Sequence, residues 1–286
     1  MLFSSLIPFI ALAAASPLQH YARSCSNETS KPTIVVSPGA FQLPPTWDNF
    51  KALSEAAGYE TIVVPLLSVG GTQRPLAGLV EDAAFLKATL EKLSDEGKEI
   101  VLLSYSYGGP VISTGTEGVG FAQRQAVGKP GGVLINTFIA AFVIHENTSW
   151  LDLLGGQFAS WMIVKDDYVL ANASLMPAAV FNDLPPAQAA DVASKLSSQS
   201  IASLTEPSTY EPWAHGIPSA YVHTTLDVSL VPAKQAEMVA ILASTGAVVP
   251  EYTLVAAHDP HISIPDQLLA VIEDIADVGL AKAKKA

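Results

Sequence analysis

Short runs of continuous apolar residues alternate along this chain with longer stretches in which apolar positions recur every three or four residues. The runs are Thr33–Ser37, Thr61–Val64, Glu99–Ser104, Gly132–Asn136, Ser219–Thr224 and Glu251–Val255. Unbroken apolarity over so few residues suits strands buried on both faces. Between the second and third runs, Leu79, Ala83, Leu86, Leu90 and Leu93 fall on one helical face, and Gly97 follows as a stop signal. After Pro265, Leu268, Leu269, Ile272 and Ile275 predict another amphipathic helix. Strands alternating with helices predict an α/β fold with a mainly parallel sheet covered on both faces. The length of 286 residues suffices for one sizeable core in a single domain. No internal repeat interrupts the pattern.

One stretch breaks the alternation. Residues from about His145 to His215 precede the run Ser219–Thr224 and are too many for a plain loop. Trp150, Phe158, Trp161 and Met176 make the stretch apolar, so it is expected to be a helical lid roofing a site. An apolar roof favours a hydrophobic ester or lactone over a sugar or phosphate.

The formal net charge of −12 argues against nucleic acid or an anionic membrane as partners. Lys282, Lys284 and Lys285 are the only basic cluster and read as a solvated helix end. Residues 1–15 read as a secretory signal peptide, with an apolar core from Leu6 to Ala14 and small residues before Ser16-Pro17. Secretion is the expected localisation, and three sequons, at Asn27, Asn147 and Asn172, agree with it. Cys25 is the single cysteine, so no intramolecular disulfide forms and the core must supply the stability. No His/Cys set has metal-ligand spacing beyond His258 and His261, and no cofactor is expected. The expected partner is a small-molecule ester substrate, with no obligate protein partner evident.

The chemistry concentrates at Ser104-Tyr105-Ser106-Tyr107-Gly108-Gly109-Pro110. A buried strand ends there, and Pro110 suits the first turn of a helix. Strand, sharp turn with Ser at its apex, then helix is the context of a nucleophile elbow. The usual Gly-x-Ser-x-Gly pattern has Ser104 in place of its first Gly, a small residue still. A serine hydroxyl needs a base and an orienting carboxylate, which in this context follow in the order Ser, acid, His. His258 directly follows the last strand-like run and is the expected base, ahead of His261. Asp227 follows the preceding run and is the expected acid, with Asp166, Asp167 and Asp191 as rivals in the lid. An oxyanion needs two amide donors, expected from Tyr107 and from Ala40 in Ser37-Pro38-Gly39-Ala40-Phe41. Phe41 and Trp161 are the expected substrate contacts.

Together these segments, with Trp47, Ala140-Ala141-Phe142, Phe181 to Pro186, Trp213 to Val222 and His258 to Pro265, resemble an α/β-hydrolase. Within that fold the chain looks like fungal relatives of the plant methylesterase and hydroxynitrile lyase family. The resemblance covers most of residues 33–270. It implies an α/β-hydrolase domain over residues 32–286, following a short segment at 16–31, with the lid at about 145–215 inserted before the acid-bearing strand. It implies Ser106 as nucleophile, Asp227 as acid, His258 as base, and Ala40 and Tyr107 as oxyanion donors. Two positions depart from the family. Pro38 replaces a His and removes an N–H, and Asp259 follows the base where many relatives carry a small polar residue. The expected activity is a secreted serine esterase. Lyase chemistry on the same triad is the alternative, but the resemblance implies that such lyases carry a Lys after the base and a Thr at the oxyanion Gly. Here Asp259 and Gly39 stand in those places. A silent binding protein on the same fold is the third reading.

Overall fold

A computed structural model describes residues 31–285. The leader, Cys25, His20 and Asn27 lie outside the described residues. The main sheet holds six parallel strands: β1 (Thr33–Ser37), β2 (Thr61–Val63), β3 (Glu99–Tyr105), β4 (Gly132–Ile139), β8 (Ser219–Thr224) and β9 (Glu251–Leu254). Their order is β2-β1-β3-β4-β8-β9. A second, three-stranded antiparallel sheet is built from β5 (Met162–Lys165), β6 (Tyr168–Ala171) and β7 (Gln199–Ser200).

Strand pleating sends alternate side chains to opposite faces, and β3 does so cleanly. Ile100 and Leu102 enter a core with Leu79, Leu86 and Leu90 of the helix Leu79–Asp95. Val101, Leu103 and Tyr105 enter the other core, with Leu268, Ile272 and Ile275 of the helix Pro265–Ala283. Both faces are thus buried, which is why the strands read as continuous apolar runs rather than alternating ones. The helix Leu79–Asp95 ends as its periodicity predicts, with Gly97 at φ 83°.

All six strands point the same way, so the loops after β1, β3, β8 and β9 emerge at one edge. β1 pairs with β3 and β4 with β8, so β3 lies centrally and the other loops converge on its end. Ligands in open α/β sheets bind outside the carboxyl ends of the strands for this reason.

The segment between β4 and β8 crosses over that edge, as expected of a lid, but it is not wholly helical. Beside the helices Trp150–Leu153, Met176–Ala179, Pro186–Ser194 and Ala202–Thr205 it carries the three-stranded sheet. Met162-Ile163-Val164-Lys165 and Tyr168-Val169-Leu170-Ala171 are short apolar runs carrying Ile, Val and Tyr, separated by Asp166-Asp167, with Asp166 at φ 55°. Two residues of this kind between such runs specify a tight hairpin. Length and apolar content, on which the helical expectation rested, say nothing about period.

Candidate active site

The elbow forms as the sequence predicts. β3 ends at Tyr105, Ser106 sits at φ 51°, and the helix Gly108–Gly115 begins two residues later. A non-glycine residue in the left-handed region is strained and persists only where its surroundings fix it. Here the Ser106 amide donates to the Ile139 carbonyl at 3.3 Å. Its carbonyl accepts from the Gly109 and Phe142 amides at 3.0 and 3.1 Å. A Cβ at Gly109 would run into the Phe142 carbonyl, so only glycine lets the helix seat this closely.

Two later loops reach the elbow. Asp227 follows β8 and His258 follows β9. His258 Nε2 lies 3.0 Å from Ser106 Oγ, and its Nδ1 lies 2.6 Å from Asp227 Oδ2. Asp227 is fully sequestered and has further donors: the Ser229 and Leu230 amides at 2.8 Å and the Thr224 hydroxyl at 3.1 Å. A buried carboxylate so supplied remains an acceptor and holds the ring in one orientation. Burial alone would push His258 down, but the charge and hydrogen bond of Asp227, with the charge of Asp259, hold it above its usual 6.5.

The family can now be identified. The model of the alpha/beta hydrolase family matches residues 34–271. This chain belongs to the alpha/beta hydrolase family. It is similar to a probable hydrolase, R7, of Phoma sp., with 28% identity over 255 residues, 86% of this chain and 99% of the relative. Among solved structures it is similar to a pyrethroid hydrolase from Sphingobium faniae JZ-2, at TM-score 0.65 and 21% identity, over 86% of this chain and 97% of that one. It is also similar to polyneuridine aldehyde esterase, at TM-score 0.68 and 15% identity, over 86% and 99%. At such identities the solved structures speak to the fold alone.

Within this hydrolase, Ala40, Phe41, Ser106, Trp161 and His258 line one cleft of about 570 Å³, mouth included. Phe142, Trp150, Met176 and Phe181 complete a largely apolar wall. Phe41 and Trp161 meet edge to face, with centroids 5.8 Å apart. The Phe41 amide is committed to Gln199 Oε1 at 3.0 Å. The Ala40 and Tyr107 amides make no intramolecular hydrogen bond among the described residues, and an oxyanion needs two such uncommitted donors. Gly39 is required because a Cβ there would meet the Tyr105 ring. Pro38, buried beside it, removes neither amide.

The other candidates lie elsewhere. His261 is fully buried, stacked 3.9 Å from Trp47 with the planes 5° apart. Burial, then the nearby His258, holds it well below 6.5, so it stays neutral. Asp167 pairs with Arg74 and Asp191 with Lys195, both on the lid surface, and Asp166 occupies the hairpin turn. His145 and His223 pair with Glu211 and Glu251, and His215 stacks on Tyr210. Asn147 is exposed in a turn at φ 64°, whereas Asn172 is half-buried and its Oδ1 accepts from Ser174.

Two further carboxyls prove to be buried: Asp259, marked in the sequence as the residue after the base, and Asp82, which was not anticipated. Asp259 accepts from Gln42 Nε2 at 2.7 Å, and Trp47 Nε1 donates to Gln42 Oε1 at 3.3 Å, so the first loop is tied to the base-bearing loop. Burial pushes Asp259 up to about 7. Asp82 accepts from the Ser68 amide and hydroxyl at 2.9 and 2.6 Å and from the Tyr107 hydroxyl at 3.0 Å. Burial pushes it up to about 6 against those bonds. A carboxylate between Leu79, Ala83 and Leu86 on an otherwise apolar helical face is a sequence signal for such a buried partner set.

Proposed function

We propose that this hydrolase is a serine esterase acting on the carboxylic ester, or lactone, of a hydrophobic small molecule. The observation that carries the proposal is the unbroken chain from Ser106 Oγ through His258 to Asp227, at 3.0 and 2.6 Å, opening on an apolar cleft. His258 Nε2 takes the hydroxyl proton as Ser106 Oγ bonds to the ester carbonyl carbon. The negative charge on the carbonyl oxygen is met by the Ala40 and Tyr107 amides. Collapse breaks the carbon–oxygen bond to the alcohol, which leaves with the proton from His258, and the acyl group stays on Ser106. Water, deprotonated by His258, then bonds to the acyl carbon, and the bond to Ser106 Oγ breaks as His258 returns the proton to that oxygen and the acid leaves. Asp227 holds the ring with its Nδ1–H inward and stabilises the imidazolium. The Phe41 and Trp161 rings clasp the apolar part of the substrate.

The test is turnover of purified protein on esters of graded acyl length, with product identification. Wild type should release acid and alcohol, and Ser106→Ala should lose on the order of 10⁴-fold or more in rate. Turnover that survives in Ser106→Ala, or an aldehyde product from a cyanohydrin with no ester turnover, overturns the esterase reading. We further propose that the protein is secreted and glycosylated, on the strength of its apolar leader and sequons.

A further inference from the structure

The loop carrying Ala40 is held in a costly conformation by the lid. Gly39 to Gln42 form a β-turn closed by the Gln42 amide on the Gly39 carbonyl at 3.3 Å. Its third residue, Phe41, has φ 65°. That sign belongs to a type II turn, where glycine ordinarily supplies it, and a bulky side chain there is strained. A turn with negative φ at Phe41 would relieve the strain by rotating the Ala40–Phe41 peptide plane, which carries the Ala40 carbonyl and the Phe41 N–H, and by reshaping the turn that holds the Gly39–Ala40 peptide. Two contacts prevent this, and both come from the lid. The Ser197 amide donates to the Phe41 carbonyl at 2.9 Å, and the Phe41 amide donates to Gln199 Oε1 at 3.0 Å.

Gln199, on β7, is wholly buried, and its orientation is fixed by chemistry. Its Nε2 donates to Ser203 Oγ at 2.9 Å, so its oxygen must face the Phe41 N–H. The same Nε2 reaches Ser68 Oγ at 3.5 Å, which donates to Asp82, and Asp82 accepts from the Tyr107 hydroxyl. One hydrogen-bonded network therefore joins the residue after Ala40 to the side chain of Tyr107, the two flanks of the oxyanion position.

We propose that Gln199 is a positioning residue for the oxyanion hole, delivered by the lid to keep the Ala40 amide aimed at the substrate oxygen. The proposal rests on the acyl-enzyme reading above. The Ala40 N–H makes no hydrogen bond among the described residues; the peptide plane it shares with the Gly39 carbonyl is held by the Gln42 amide, across the turn whose shape Phe41 sets. Gln199 touches no reacting atom and acts through the loop. A lid that loosens withdraws this clamp along with the roof.

The experiment pairs Gln199→Met, which removes the acceptor at near-equal volume, with Ser203→Ala, which frees the Gln199 amide and removes the hydroxyl's bond to the Ser200 carbonyl on the same strand. Each is assayed on the best ester found for wild type, and each is titrated with a trifluoromethyl ketone of matching chain. This probe adds to the serine and places an oxyanion in the hole. Gln199→Met should lower kcat by roughly 10- to 100-fold, below the loss of an oxyanion donor itself. Its KM should stay within about threefold, and its ketone affinity should fall by the same factor as kcat/KM. The acid limb of the pH profile should not move, since His258 is untouched. Should Gln199→Met fail to fold, Ser203→Ala carries the test with a matched loss of about threefold in both readouts. Wild-type kcat and ketone affinity in the folded variants overturn the clamp while leaving the esterase reading intact. A loss confined to KM also overturns it, making Gln199 part of the wall. A wild type with no Ser106-dependent turnover fails the underlying reading, and the clamp falls with it.

Discussion

His258 is surrounded by three groups of different consequence. Asp227 fixes its tautomer, Ser106 presents its proton, and Asp259, the next residue along the chain, adds negative charge that favours the imidazolium. Only neutral imidazole accepts the serine proton, so kcat/KM falls as pH drops through the His258 pKa, with a midpoint above 6.5. Asp259, itself pushed up to about 7, carries its charge over the upper part of this range, and replacing it by Asn deletes that charge while keeping an acceptor for Gln42. In Asp259→Asn the acid limb should therefore move to lower pH, read from kcat/KM between about pH 5 and 9 on a non-ionising ester. A shift to higher pH, or none, would show that Asp259 does not feel His258. The spacing of His258 and His261 leaves both as candidates for the base, whereas packing separates them. Trp47 covers His261 face on, and His261 is not among the residues lining the cleft with Ser106.

At the scale of elements, the site depends on how closely the helix Gly108–Gly115 seats against the ends of β1 and β4. Cβ atoms at Gly108 and Gly109 would meet the Ser37 and Phe142 carbonyls, both backbone and unable to swing aside. Gly109→Ala should destabilise the fold by at least the upper end of the roughly 1–3 kcal/mol typical of overpacking, seen as a lower denaturation midpoint. The surviving folded fraction should also lose esterase rate, because the same helix start positions Ser106 and the Tyr107 amide. Unchanged stability would mean that strand and helix separate easily here. The helix Leu79–Asp95 and the helix Pro265–Ala283 were legible from spacing because each buries one stripe against one face of the sheet. The lid hairpin was missed, because its two four-residue runs around Asp166-Asp167 show neither a helical nor a strand period and the helical expectation rested on length and apolar content.

For the whole molecule, the described domain is an acidic hydrolase with its site under a lid, and its secretion is proposed from sequence alone. The sequons differ in what the fold offers a glycan. Asn147 lies exposed in a turn, while the Asn172 side chain is engaged by Ser174. Expressed in a eukaryotic host, the secreted protein should begin near Ser16. Its mass should drop on glycosidase treatment, with Asn147→Gln removing more of the shift than Asn172→Gln. Retention of Met1 with no glycan mass would reject the secretory proposal.

The strand order of chemistry was readable in the sequence by itself. Buried parallel strands must be continuous apolar runs, an elbow demands small residues after its serine, and acid and base follow later strands in a fixed order. Those are local requirements, so Ser106, Asp227 and His258 could be named from position. Contacts between distant segments were decided only by the tertiary structure. Gln199 meeting Phe41 across 158 positions and Gln42 meeting Asp259 across 217 leave no periodic trace. Each is a pairing of polar groups that packing has cut off from water, and a buried polar group must find its partner wherever the fold brings one.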